Sequence, residues 1–241
     1  MIGAGTLING AAVLGGGIIG LFAGKLFKPP QQQSLSRVCG ISVLFIAIAG
    51  AMEGMLKVKD KSLVSSRAML IVLCLALGTI IGELVGIEKG FERFGEWLKV
   101  KSGNSKDKGF VNAFVTASFT VCIGAMAIVG AIQDALLKDI STLLVKSVLD
   151  FIIIAVMTSS LGKGCIFSAI PVVIFEGTVT LLARLISPIM TDTALDYLSL
   201  IGSILIFCVG VNLVWGKKLN VANMLPSVIL AVAAAYLPWS F

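Results

Sequence analysis

The sequence predicts an all-α fold, a polytopic bundle of about eight transmembrane helices built from inverted three-helix repeats. Three observations predict it. Of 241 residues, 57% are hydrophobic and only 13% charged, and the mean hydropathy is +1.02, which is outside the range of soluble domains. Apolar runs long enough to cross a hydrocarbon core as helices recur along the whole length. Three of those runs carry versions of one glycine motif: Gly16-Gly17-Ile18-Ile19-Gly20, Gly78-Thr79-Ile80-Ile81-Gly82-Glu83 and Glu176-Gly177-Thr178-Val179-Thr180.

In chain order the expected spans are 2–24, 38–56, 68–87, 110–133, 141–161, 164–186, 197–215 and 221–237. No basic residue precedes the first, which runs through Gly24 into Lys25, so it is expected to persist as a membrane helix and not to be removed as a signal peptide. Between the third and fourth spans, Phe91, Phe94, Trp97 and Leu98 recur at helical spacing opposite Glu92, Glu96 and Lys99. That pattern fits an amphipathic helix within 88–109 lying on the cytoplasmic bilayer surface, and equally a connecting helix packed on the bundle. The stretch Thr158-Ser159-Ser160-Leu161-Gly162-Lys163-Gly164 reads as a tight hairpin turn. It lacks the spacing of a phosphate-binding loop, so an anion nest there is a weak alternative.

Lys and Arg are retained on the cytoplasmic side of a membrane. With the N-terminus outside, the inner loops hold 12 of the 19 basic residues, and Asp192 and Asp196 fall outside; the basic loop from Lys57 to Arg67 argues the other way. The net charge of +6 is thus a topology signal, and no nucleic-acid partner is expected.

Gly16, Gly20 and Gly24 align with Gly78, Gly82 and Gly86, each a ladder of small residues that lets two helix backbones approach closely. The segments around Gly50, Gly124 and Gly210 form a partner pattern. The chain is therefore read as one integral membrane domain, 1–241. Residues 1–56 are a partial repeat, 68–161 a first full repeat and 164–237 a second, inverted because three helices reverse the direction of entry.

A charge near the bilayer centre is costly and usually faces a cavity or a partner. Glu176 lies mid-span, five residues after Pro171, with Thr180 one turn further on; Glu176, Thr178 and Thr180 are the leading candidates for binding a solute or ion. Asp150 is a further candidate, with Lys146 four residues earlier as an equally good structural partner. Glu83 and Asn212 complete the candidate set through their motif positions, while Asn9 reads as an ordinary interhelical hydrogen bond.

Histidine is absent, and the five cysteines are scattered without a CxxC pair. No metal site, cofactor or disulfide is expected, and no GxGD, GxSG or HExxH motif gives an enzymatic reading.

The opening Met1-Ile2-Gly3-Ala4-Gly5-Thr6-Leu7-Ile8-Asn9, the segment from Ser160 to Val173, and Asn223-Met224-Leu225-Pro226 resemble the bacterial inner-membrane proteins grouped as domain of unknown function 554. The likeness covers nearly the whole chain. It implies a multi-span protein of the bacterial cytoplasmic membrane and, since the family has no established activity, assigns no functional residue. It also implies a neutral residue before Gly177, where this chain carries Glu176.

The function expected is a small secondary transporter or permease for a small solute or ion, with proton coupling open, working by alternating access. The alternative is a membrane assembly or regulatory protein whose glycine ladders bind other subunits, and a homo-oligomer suits either reading.

Overall fold

The computed structural model describes residues 2–59, 62–123 and 125–237. Helices α1 (Ala4–Gly24) and α2 (Pro29–Met55) are followed by a short antiparallel hairpin, β1 (Leu56–Lys59) with β2 (Ser62–Ser65). Then come α3 (Ala68–Val85), α4 (Ile87–Lys101), α5 (Phe110–Cys122), α6 (Ala125–Leu137) and α7 (Ser141–Leu161). A 3-10 turn (Lys163–Ser168) leads into α8 (Ala169–Leu181), a single turn α9 (Ala183–Ile186), α10 (Asp192–Trp215), α11 (Val221–Met224) and α12 (Pro226–Ala234).

Among the described residues six helical segments are long and apolar enough to cross a membrane. The pair α5 and α6, bent by 59°, makes a seventh if taken as one span. The eighth expected span is instead a shorter apolar segment, Val221–Ala234, divided at Leu225. Its division has a local cause, since Pro226 has no amide hydrogen to donate and cannot continue α11.

Contacts at the loops sort the molecule into two ends. At one, Arg67 pairs with Asp196 at 3.0 Å, the Tyr236 hydroxyl donates to the Ile189 carbonyl at 2.6 Å, and Asp134 accepts from the amides of Gly3 and Gly5. At the other, Lys217 reaches Glu88 and Glu92, and the Glu88 amide donates to Asn223 Oδ1 at 2.8 Å. Between these ends successive segments alternate in direction.

The glycine ladders are where the helices touch. A Cβ on Gly16, Gly20 or Gly24 would run into the carbonyl oxygens of Phe151, Ala155 and Ser159, so α1 and α7 lie parallel, in register at four-residue steps. Gly40, Gly50 and Gly54 meet Val214, Ser203 and Leu200, which makes α2 and α10 antiparallel. Gly78 and Gly82 of α3 close on Ser227 and Asn223. In lipid no hydrophobic force drives helices together, so dispersion contacts at such close approaches supply much of the association energy. The Gly124 position of the partner pattern lies outside the described residues.

The buried core runs through Val13, Phe110, Phe114, Ile154, Cys165 and Leu205, with a second cluster around Leu70, Leu200 and Ala231. Helix α4 packs one face on the bundle, as the connecting-helix alternative expected. Phe91 packs on Phe119 (4.8 Å between ring centroids) and Phe94 on Phe114 (5.8 Å), while Trp97 and Val100 stay exposed. Gly86 makes the corner between α3 and α4 at φ 70, a left-handed conformation that glycine adopts without strain, and its amide donates to Gly82 O at 2.8 Å.

Candidate functional site

Three helices converge on one polar cluster. Asn9 on α1, Lys146 and Asp150 on α7 and Glu176 on α8 are 0%, 7%, 4% and 1% exposed. Asn9 shares a helical stripe with Gly5, Gly16 and Gly20, and so points into the seam with α7. On its neighbouring face Gly10 lets α1 press against Val173 of α8. The residue is thereby held between two carboxylates.

Its side-chain amide nitrogen donates to Asp150 Oδ2 at 3.1 Å and to Glu176 Oε1 at 2.7 Å. Lys146 Nζ donates to the same Asp150 oxygen at 2.6 Å, an ion pair one helical turn long. It also donates to the Val121 carbonyl at 2.7 Å. Because α5 stops at Cys122, that carbonyl is among the four that no residue of the helix can satisfy. The break in the α5–α6 segment thus provides an oxygen ligand for a cation, and the lysine ammonium takes it. Glu176 Oε2 and Asn9 Oδ1 are buried with no hydrogen-bond partner among the described residues. Thr180 Oγ1 donates to the Glu176 carbonyl at 2.9 Å and lies 3.4 Å from Thr6 Oγ1.

The electrostatic consequence follows from counting. One ammonium faces two carboxyl groups, so with all three ionised a net negative charge sits inside the bundle. A proton or a small cation would balance it.

The candidates from sequence therefore divide. Glu176, Asp150 and Thr180 come together here. Glu83 is exposed near the end of α3, between Gly82 and the exposed Leu84. Thr178 is exposed on the opposite side of α8 and donates to the Ile174 carbonyl at 2.6 Å. Asn212 shapes a turn: its Oδ1 accepts from the amides of Lys218 and Leu219 at 2.8 and 2.9 Å, and its amide nitrogen donates to Leu219 O at 2.8 Å.

Lys146 is buried within α7 and pairs with Asp150, the structural partnership that their four-residue spacing offered. The role of Asn9 as a two-carboxylate bridge was hidden because its partners lie 141 and 167 positions away. Asp134 is a further residue that the sequence did not single out. It is fully buried on α6, and its two oxygens accept from Gly3 and Gly5 amides at 3.3 and 2.8 Å, a carboxylate placed at the positive end of the α1 dipole.

Two cavities flank the cluster without reaching it. One, of about 830 Å³, is lined mostly by apolar residues of α3, α4, α5, α6, α8, α10 and α12. The other, of about 510 Å³, is of mixed character and lies at the α4 end, with Glu88, Glu92, Asn112, Thr116 and Lys217 in its wall beside apolar residues. Burial alone would pull the Lys217 pKa down, but its hydrogen bonds to Glu88 and Glu92 outweigh that and hold it above the ordinary lysine value.

Compared with known proteins, residues 4–236 match the family described as "Protein of unknown function (DUF554)". The chain is 30% identical over 241 residues to the uncharacterized protein YqgA of Escherichia coli (strain K12), covering 98% of each chain. It is 25% identical over 237 residues to the uncharacterized membrane protein YdfK of Bacillus subtilis (strain 168), covering 98% of this chain and 97% of that one. No solved structure matches.

Proposed function

The chain belongs to the DUF554 family of membrane proteins, and from that premise we propose that it is a small secondary transporter of the bacterial cytoplasmic membrane. Its cargo would be a small solute or ion, moved by alternating access between inverted repeats, with the N-terminus outside. The observation that carries the reading is the four-residue cluster of Asn9, Lys146, Asp150 and Glu176, sealed between α1, α7 and α8. Buried ionisable groups are expensive in a membrane and are mostly kept where a charge must be bound or moved.

The cluster has the parts such a step needs. Glu176 presents one oxygen bonded by Asn9 and one with no partner among the described residues, so it is the group to take up and release a proton or to hold a cation. Lys146 is a movable counter-charge, held by Asp150 and by a carbonyl at a helix break, as coupling cations are held in carriers with discontinuous helices. In the cycle proposed, charge arriving at Glu176 changes the balance around Asn9 and loosens the seam of α1 with α7 and α8. The glycine-lined surfaces then slide to expose the site to the other side.

Protein reconstituted in liposomes tests this, with uptake of a panel of ions and small metabolites followed with and without an imposed pH gradient. Glu176→Gln should abolish gradient-driven uptake while the purified variant keeps its melting temperature. Uptake that is unchanged in this variant and independent of pH would sink the assignment.

A second reading, a non-transporting assembly or regulatory protein, is favoured by one observation: Lys146 and Asp150 already satisfy each other, and the two cavities are lined by other residues. Against it, the glycines of α1 and α3 are covered by helices of the same chain and not left for another subunit. Replacing the ion pair together, Lys146→Met with Asp150→Leu, separates the readings. A structural pair tolerates apolar substitution with stability retained and no change in any flux, whereas a coupling pair loses transport.

A further inference from the structure

The larger cavity has a chemistry of its own. It lies on the far side of α8 from Glu176, with Pro171, Ile174, Phe175 and Thr178 forming that wall. Two hydroxyl groups in its lining have their protons already committed. Ser118 donates to the Phe114 carbonyl at 2.7 Å and Thr178 to the Ile174 carbonyl at 2.6 Å, each bonded back along its own helix. A water or a polar solute inside would find few partners, so the space suits an apolar occupant.

The mouth shows where that occupant comes from. Val85, Ile174 and Ile229 line the cavity and are 70%, 58% and 73% exposed on apolar helices, so the opening faces the lipid. Its floor is α4, through Ile87, Gly90, Phe91 and Phe94. On the outer side of that helix Lys89, Arg93 and Trp97 follow at four-residue steps, all exposed, with the stem of Lys89 beside Gly86 at the rim. Basic residues and an outward tryptophan along a helix are the composition of a surface lying at headgroup level.

We propose that this cavity is a phospholipid site: one acyl chain enters between α8 and α12, and an anionic headgroup is met by Lys89 and Arg93. Cavity and cations are adjacent on one short helix, so a single lipid engages both. The site is independent of the transport reading. Its occupant would brace α4 against α8, the helix whose other face carries Glu176.

Native mass spectrometry of the purified protein tests it, after delipidation and titration with phosphatidylglycerol, phosphatidylethanolamine or palmitate. The wild type should retain one phosphatidylglycerol in preference to phosphatidylethanolamine. Gly90→Leu should remove that adduct, because Gly90 lines the cavity and its Cβ position meets no atom of the described residues within 4 Å, so the added side chain fills the space without disturbing the helix. Ile174→Trp, at the exposed mouth, should do the same by blocking entry. Lys89→Glu with Arg93→Glu should weaken phosphatidylglycerol by at least about tenfold and leave phosphatidylethanolamine unchanged. Adducts that persist in both Gly90→Leu and Ile174→Trp overturn the proposal, as does a wild type that binds palmitate but no phospholipid.

Discussion

Asn9 has one amide group and two carboxylates to answer, which makes it the residue on which the cluster depends. Truncation to alanine removes both donated bonds and leaves Asp150 and Glu176 facing each other with Lys146 alone to compensate. A buried polar group left unsatisfied costs about 1–3 kcal/mol, and more when it is charged. Asn9→Ala should therefore melt several degrees lower in detergent, and Asn9→Asp, which adds a third carboxyl group, lower still. An Asn9→Ala variant as stable as the wild type would show that the bridge contributes nothing. This residue also marks what a sequence can convey. Glu176 and Asp150 stand out locally, as charges in apolar runs, whereas an uncharged asparagine acquires its role only from partners far along the chain. Asn212 shows the converse: its place after Gly210 looked like a motif position, but its side chain closes the turn at Lys218 and Leu219.

At the scale of the helix, the glycines fall into two kinds that the motif alone does not separate. Those at 16, 20, 78 and 82 sit where a side chain would strike the backbone or side chain of the facing segment. Gly177 sits in the same motif, yet its Cβ position meets nothing within 4 Å among the described residues. Alanine at Gly20 or Gly82 must push two helices apart, at a cost of about 1–3 kcal/mol. Alanine at Gly177 should be neutral or stabilise α8 by up to about 1 kcal/mol, since glycine is the poorer helix former. Thermal denaturation of the three single variants checks the contrast, and a Gly20→Ala protein that melts with the wild type would remove the close-packing role assigned to α1. Spacing revealed that the ladders exist and that helices meet along them. It left the partners hidden, because α1 chooses α7 through a register of carbonyl oxygens that carries no side-chain signature.

Across the whole molecule, most spans were legible because each must be apolar over its length to meet lipid. The α5–α6 bend and the α11–α12 division were not, since they rest on backbone breaks at Cys122 and Pro226 within otherwise continuous apolar runs. The alternation of segments between two ends survives those breaks, and it makes a prediction about sidedness. The end that carries α4, the loop after it and the turn before α11 holds Lys89, Arg93, Lys99, Lys101, Lys217 and Lys218, whereas the opposite end carries fewer basic residues, Lys57, Arg67, Lys138 and Arg184 among them. The prediction from the positive-inside rule is that the α4 end faces the cytoplasm. Ser105 and Thr193 are exposed at opposite ends, while four of the five native cysteines are buried. On intact cells a membrane-impermeant maleimide should label Thr193→Cys promptly and label Ser105→Cys only after permeabilisation. The reverse pattern would invert the orientation, and equal labelling of both on intact cells would contradict the two-ended architecture itself.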